Sequence, residues 1–129
     1  MKKQGIINGN LARALAQLRH TDLFVIADAG FPAGPREQVI DLAVIPGLPR
    51  FADVLTAVLA EATIEESWIA SEVGEVNHEQ ARFLGTSLPH AKSVPHYELK
   101  MLSTAARFVV RTGDATPYSN VLLQAGYPF

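Results

Sequence analysis

Three side chains with acid–base potential stand out in the sequence, namely His20, Asp28 and His96. Histidine ordinarily titrates near neutral pH, so both histidines are candidates for proton transfer. Asp28 directly follows an apolar run of strand length, which is a common ligand position in α/β proteins. The polar segment Thr116–Asn120 adds tyrosine and amide groups that both donate and accept hydrogen bonds, as the hydroxyl groups of a sugar require.

Each of these residues also has an ordinary structural explanation, and the residues alone leave both open. His20 is predicted at a helix C-terminus, where it would complement the helix dipole. Asp28 can accept a hydrogen bond from its own backbone in a turn before Gly30. His96 follows a proline and can be an exposed loop or helix-start residue. Thr116–Asn120 can be a turn in which proline and asparagine set the backbone shape.

A metal site is a further alternative, since His20, Asp28 and His96 would form a set of two histidines and one carboxylate. Their spacing carries no local signature of such a site. The sequence also lacks a glycine-rich nucleotide loop, a P-loop and a nucleophilic serine elbow. Cysteine is absent, so a thiolate nucleophile or metal ligand is excluded. We therefore expect no nucleotide cofactor and no serine nucleophile, and the spacing disfavours a metal site without excluding it.

The length favours one globular domain over residues 1–129. The net charge is −2, from 11 basic and 13 acidic residues, and the basic residues form no stripe typical of a nucleic-acid or membrane surface. No apolar run approaches the roughly 20 residues of a membrane helix. The N-terminus has no apolar segment of signal-peptide length, so we expect a cytoplasmic location.

Apolar periodicity and turn residues predict alternating strands and helices. Asn10 is the predicted cap of a first helix that ends near Arg19 and His20. The other segments are strands at Leu23–Ala27, Val39–Ile45, around Trp68–Ala70, Phe108–Val110 and Val121–Leu123, and helices over Phe51–Ala62, after Asn77 and over Tyr97–Ser103. Alternation of this kind predicts an α/β fold, a three-layer α/β/α sandwich around a largely parallel, mixed sheet.

Several blocks of residues, in order and from end to end of the chain, resemble the D-ribose pyranase family of sugar-ring isomerases and mutarotases. Any one block is a weak signal, but together they are specific. The blocks are Gly5–Asn8, His20–Asp22, Ile26–Gly30, Ile40–Leu42, Pro46–Pro49, Arg111–Asp114, Thr116–Asn120 and Gln124–Gly126.

The resemblance implies that the protein interconverts the pyranose and furanose rings of β-D-ribose without a metal. It implies that His20 is the catalytic acid. It places the substrate-binding positions at Asp28, His96, Tyr118, Ser119 and Asn120. It further implies a cytoplasmic homo-oligomer built from rings, described as a decamer, that acts on ribose ahead of its phosphorylation.

The sequence departs from the family at several positions. Arg19 replaces a usual glycine, which would strain the backbone if that position is left-handed, and Phe31 replaces a commoner leucine. The carboxylate that orients His20 is expected to be Asp22 or an aspartate of another subunit. Alternative functions are an L-fucose-type mutarotase, which the Pro46–Pro49 block disfavours, and a non-catalytic sugar-binding accessory of a transporter.

Overall fold

The structure, a computed structural model, describes residues 1–129 and contains six strands and five helices. The strands are β1 (Leu23–Ala27), β2 (Gln38–Asp41), β3 (Ile64–Ala70), β4 (Lys92–Val94), β5 (Phe108–Arg111) and β6 (Val121–Ala125). The helices are α1 (Gly9–Ala16), α2 (Phe51–Leu59), α3 (Val73–Val76), α4 (His78–Ser87) and α5 (His96–Ser103). Every predicted element overlaps one of these, whereas α3 and β4 were not predicted.

All six strands form one mixed sheet in the order β2-β5-β1-β6-β3-β4. The pairs β2/β5, β5/β1 and β3/β4 are parallel, whereas β6 is antiparallel to both β1 and β3. The predicted α/β class with a mixed sheet is confirmed. Near the carboxyl end of β1, Ile26 pairs with Val121 at the start of β6. The residues after β1 and those before β6 therefore meet at one edge of the sheet.

The sheet separates two apolar cores of unequal size. One face and the helices α1 to α4 enclose a cluster of 17 buried residues, to which β1 contributes Phe24 and Ile26. The other face and α5 enclose a cluster of six, which includes Val25, Ala27 and Leu99. Successive side chains of a strand point to opposite faces, so burial on both sides explains why the sequence of β1 is continuously apolar. None of the five helices has the length and apolar character needed to cross a membrane.

Helix α1 begins and ends earlier than predicted. Asn8 is its N-cap in place of Asn10, since the Asn8 side chain accepts a hydrogen bond from the backbone N–H of Leu11 at 2.9 Å. The helix ends at Ala16, four residues before His20. The prediction that His20 occupies a helix C-terminus is therefore wrong, and a helix dipole, which acts within the last turn, has no role at this residue.

A turn between α1 and β1 carries His20. The Asp22 carboxylate accepts a hydrogen bond from the backbone N–H of Arg19 at 2.7 Å, which replaces a continuation of the helix. Thr21 has a φ of 71°, a left-handed conformation that non-glycine residues rarely adopt. Arg19 is not among the residues with positive φ. The prediction of backbone strain at Arg19 is therefore wrong. The strained residue is Thr21, directly after His20.

A second turn, over residues 46–49, packs on the segment that follows β5. Gly47 N–H donates to the Gly113 carbonyl at 2.6 Å, and Gly113 N–H donates to the Pro49 carbonyl at 3.0 Å. A side chain at Gly113 would collide with the backbone of Leu48, so the approach requires glycine. This turn also explains why β2 ends at Asp41 instead of residue 45. The chain folds back after β2 and fixes the start of the segment that leads to residues 118–120.

Candidate active site

Asp28 and Asn120 form a reciprocal hydrogen-bonded pair at the carboxyl end of β1. Asp28 N–H donates to Asn120 Oδ1 at 2.9 Å, and Asn120 Nδ2 donates to Asp28 Oδ2 at 3.0 Å. Asp28 Oδ1 accepts from Gly30 N–H at 2.9 Å, so the turn role considered from the sequence is present as well. Asn120 is buried, whereas Asp28 is partly exposed. The Asp28 carboxylate therefore keeps accepting capacity on the side that faces outward.

His96 lies beside this pair, at the first position of α5. Both carboxylate oxygens of Glu72 accept its backbone N–H, at 3.0 and 3.1 Å, which fixes the start of the helix. The His96 Nε2 atom lies 3.5 Å from Asn120 Nδ2. Its ring meets Tyr118 edge-on at a centroid distance of 5.1 Å and Phe31 at 6.4 Å. The imidazole is thus held between two aromatic rings at the same edge of the sheet.

Burial lowers the pKa of His96 below its usual value of 6.5, and the ammonium group of Lys100 lowers it further. The carboxylates of Glu72 and Asp28 act in the opposite direction but do not outweigh burial. At neutral pH the His96 ring is therefore uncharged, and it offers one donor and one acceptor nitrogen. Such a ring can bind a hydroxyl group in either direction.

The segment before β6 directs two neighbouring side chains to opposite sides. Tyr118 has a φ of 60° and turns its ring toward His96. Ser119 is fully buried, and its Oγ atom bonds with Gln80 Nε2 at 2.8 Å and with Thr116 Oγ1 at 2.7 Å. The Ser119 side chain is therefore committed to the protein interior.

Asp114 anchors this segment. Its carboxylate accepts hydrogen bonds from the backbone N–H of Thr116 (2.9 Å), from Thr116 Oγ1 (2.6 Å) and from the N–H of Phe51 at the start of α2 (3.0 Å). Its carbonyl accepts from Ala29 N–H at 2.8 Å. Burial by itself raises the pKa of Asp114, but the bonds from Thr116 and Phe51 outweigh it and hold the pKa below the usual 3.8. The ionised carboxylate ties the segment to α2 and to the loop after β1.

His20 lies at the opposite, amino end of β1. Its Nε2 atom is 3.0 Å from Glu65 Oε2, and its ring centroid is 6.1 Å from that of Tyr127. The His20 and Glu65 side chains are both about half exposed, at 51% and 47%. The five residues of β1 rise about 3.3 Å each and so span about 13 Å. His20 therefore does not reach Asp28 or Asn120 of the same chain.

The same separation bears on the metal site that His20, Asp28 and His96 would form within one chain. The three predicted ligands do not converge, because His20 is at one end of β1 and both Asp28 and His96 are at the other. No group of three histidine, cysteine, aspartate or glutamate side chains in the chain is placed to hold a metal ion.

Three carboxylates that shape the site, those of Glu65, Glu72 and Asp114, were not identified from the sequence, and a fourth, that of Asp22, was misassigned. Glu65 contacts His20, whereas Asp22, the expected partner within the chain, forms an ion pair with Arg107 at 2.8 Å. Glu72 was not singled out, because nothing local marks a residue that acts 24 positions away. Asp114 precedes Thr116 by two residues, a spacing typical of an aspartate turn, and this signal was available.

The sequence profile of the RbsD / FucU transport protein family matches residues 1–128. The chain belongs to this family. Among its curated relatives, D-ribose pyranase 1 of Rubrobacter xylanophilus is 50% identical over 129 residues, and D-ribose pyranase of Streptomyces coelicolor is 48% identical over 129 residues. Both alignments cover all of this chain and all of the relative. The resemblance inferred from the sequence is confirmed.

Two solved structures share the fold of this chain. Bacillus subtilis RbsD complexed with D-ribose superposes with a TM-score of 0.95 at 44% identity, and all of both chains is covered. The fucose mutarotase of Streptococcus pneumoniae in complex with L-fucose gives a TM-score of 0.74 at 18% identity, with 95% of both chains covered. The first similarity extends to sequence and fold, whereas the second shows the shared fold alone.

Proposed function

We propose that this chain is an isomerase that interconverts the pyranose and furanose forms of β-D-ribose. His20 is the general acid–base group, and Asp28, His96, Tyr118 and Asn120 hold the sugar. The observation that carries this proposal is the cluster at the carboxyl end of β1, where a carboxylate, a neutral imidazole and a phenol lie together. We infer the substrate from the names of the full-length relatives, which are called D-ribose pyranase and are up to 50% identical to this chain.

The reaction needs only proton transfer, which these groups can provide. The anomeric hydroxyl loses a proton, the bond from the anomeric carbon to the ring oxygen breaks, and that oxygen gains a proton. A different hydroxyl then adds to the aldehyde and closes the other ring. A positioned acid–base group accelerates such steps by about 10²–10⁴-fold. His20 carries the proton, while the Asp28 cluster binds hydroxyl groups and retains the open chain.

Ser119 contributes through its backbone in this proposal. Its side chain is bonded to Gln80 and Thr116, so Ser119 can contact the sugar only through its backbone. Phe31, which replaces a commoner leucine, lies against His96 and forms an apolar wall of the same cluster.

Ribose is favoured over L-fucose as the substrate. The relatives at 40–50% identity carry the name D-ribose pyranase, whereas the fucose mutarotase is 18% identical. A non-catalytic accessory of a transporter remains the second candidate, because the family's description includes transport. Ribose binding without faster ring exchange would favour that candidate.

The site is completed by a second copy of the chain, so we include a homo-oligomer in the proposal. His20 and the Asp28 cluster are at opposite ends of β1 and cannot act on one sugar within one protomer. Exposed apolar side chains supply contact surface, among them Tyr97 and Met101 on α5. Decameric rings in the cytoplasm, as the resemblance implies, are the assembly and location that we propose.

Magnetisation-exchange NMR on labelled D-ribose tests the activity. We expect the protein to accelerate pyranose–furanose exchange and the His20→Ala variant to lose this acceleration while it still binds ribose. Full exchange activity in His20→Ala would remove His20 from the mechanism. Absence of acceleration by the wild-type protein would refute the isomerase.

Co-expression of His20→Ala and Asn120→Ala chains tests the shared site. If His20 and the cluster come from different copies, a random mixture rebuilds about one quarter of the sites from two intact halves. We expect activity to return to that level in mixed oligomers at a ribose concentration too low to occupy the Asn120→Ala site, whereas His20→Ala alone is inactive. Inactive mixed oligomers would show that each site is built from one chain. Native mass spectrometry of the same samples gives the number of subunits.

A further inference from the structure

We propose that Glu65 is the positioning residue of His20, and that its carboxylate holds the His20 Nε2–H so that Nδ1 faces the sugar. This inference rests on the proposed function, because it names the atom through which His20 exchanges the proton. Three features of the chain carry it: the contact itself, an irregularity in β3, and the way that β6 ties the two residues together.

The contact fixes which nitrogen carries the proton. Glu65 Oε2 lies 3.0 Å from His20 Nε2, and an ionised carboxylate can only accept a hydrogen bond. Nε2 must therefore be the donor, and in the neutral ring Nδ1 is left as the unprotonated acceptor. No group of the chain bonds to Nδ1. This nitrogen is free to take a proton from a sugar hydroxyl and to return it to the ring oxygen.

A bulge in β3 places the Glu65 side chain. Ile64 pairs with Ala125 and Glu66 pairs with the preceding residue Gln124, so Glu65 is the extra residue between two adjacent positions of β6. Ile64 and Ile69 both pack on the larger core, although regular alternation would send them to opposite faces. The bulge thus packs Ile64 on the larger core and places the Glu65 side chain against His20. Bulges next to active sites often redirect a side chain in this way.

The end of β6 connects Glu65 to the turn that carries His20. Ala125 accepts the backbone N–H of Thr21 at 2.9 Å and donates to the Asp22 carbonyl at 2.8 Å. The next residue, Gly126, lies so close to β3 that an added Cβ would be 3.3 Å from the Cβ of Glu65. Thr21, whose N–H bonds to Ala125, is also the residue with the left-handed backbone. Strained residues and close backbone approaches of this kind concentrate at functional sites.

The other ionisable groups around His20 are engaged elsewhere. The Arg19 guanidinium bonds to carbonyl oxygens at the end of α1. Asp22 is paired with Arg107 at 2.8 Å. Tyr127 contributes a ring at 6.1 Å and no hydrogen bond to the imidazole. The carboxylate on β3 is therefore the one charge that acts on His20 by direct contact.

The Glu65→Gln variant tests the proposal, with Glu66→Gln as its matched control. Glu66 is the neighbouring carboxylate, is exposed to a similar degree at 42%, and pairs with Lys92 at 3.1 Å instead of with His20. Loss of the charge at Glu65 should lower the exchange rate at saturating ribose about tenfold, a fraction of the full acid–base contribution. Ribose affinity and assembly should stay unchanged. Glu66→Gln should exchange ribose at the wild-type rate.

The pH profile separates positioning from a merely structural role. Glu65 is the one charged group in direct contact with the His20 ring, so Glu65→Gln should change the pH profile of the exchange rate. The profile of Glu66→Gln should not move. A Glu65→Gln variant with the wild-type rate and profile would overturn the proposal.

A measurement on the wild-type protein keeps the test independent of folding of the variant. Nitrogen-15 NMR of the His20 ring should show the neutral form protonated at Nε2 and bare at Nδ1. A ring protonated mainly at Nδ1 would overturn the assignment. If the wild-type protein fails to accelerate exchange but the ring is protonated at Nε2, the proposed function fails while the contact with Glu65 stands.

Discussion

Replacement of Asn120 by alanine tests whether this residue both stabilises the fold and binds the sugar. The substitution removes the hydrogen bond that Asp28 N–H donates to Asn120 Oδ1 at 2.9 Å and the bond that Nδ2 donates to the Asp28 carboxylate at 3.0 Å. It also removes the amide that faces the His96 ring. We therefore expect a loss of both stability and ribose binding.

The expected loss in the free energy of unfolding can be estimated from these two hydrogen bonds. A neutral hydrogen bond contributes about 0.5–1.5 kcal/mol and one to a charged group about 1.5–3 kcal/mol. Because Asp28 is partly exposed and water replaces part of the second bond, we expect a free energy of unfolding lower by about 2 kcal/mol. At about 2.1 cal/mol/K per residue, this loss lowers the Tm of a chain of this length by about 7 °C. Ribose affinity should fall at least about tenfold.

Thermal denaturation and calorimetric titration with ribose measure the two effects. Asn8→Ala is the matched control, since it removes one hydrogen bond at the N-cap of α1 and should cost about 1 kcal/mol. Its ribose affinity should equal that of the wild type. If Asn120→Ala is destabilised but binds ribose normally, Asn120 is a structural residue only. Weak binding at unchanged stability would refute the energetic argument instead.

Two further predictions concern the surroundings of the site. Gly113→Ala should lower the free energy of unfolding by about 2–4 kcal/mol, because the new Cβ meets the backbone of the turn over residues 46–49; Gly85→Ala in the open interior of α4 should instead be neutral or stabilising by up to about 1 kcal/mol in the same urea titration. Lys100→Gln should raise the pKa of His96 in an NMR titration, since Lys100 helps to lower it. An unchanged His96 pKa in Lys100→Gln would contradict the charge argument. Because the His96 pKa is below its usual 6.5, the contribution of neutral His96 to the free energy of unfolding is complete above about pH 6.5. This contribution is lost as the pH falls toward the pKa of the folded state.

The sequence predicts the order of elements well where apolar periodicity is strong. The run Leu23–Ala27 is the strand β1 to the residue, because burial on both faces makes it continuously apolar. The helix over Phe51–Leu59 keeps its predicted apolar face, and Asn77 caps α4 as expected. The strand Lys92–Val94 was missed, since it has three residues at an edge of the sheet and little burial to select apolar side chains.

The boundary of α1 shows where local patterns fail. Asn8 and Asn10 both precede an apolar helical repeat, and either can cap it. Asn8 is selected in the structure. Likewise, the periodicity continues to Leu18, but the Asp22 side chain closes a turn on Arg19 and ends the helix early. Such competition between a side chain and the helical backbone is decided by geometry that a periodic pattern does not contain.

By itself, the sequence predicted the mixed α/β class and, through the family resemblance, pointed to Asp28, His96, Tyr118 and Asn120 as site residues, because residue types, blocks and strand ends are properties of chain order. Only the tertiary structure decided that Ser119 points inward. It alone also decided that Glu65 contacts His20 and that Asn120 and His96 lie beside Asp28. The physical reason is that these contacts depend on strand register and on a bulge, which bring residues together regardless of their spacing along the chain.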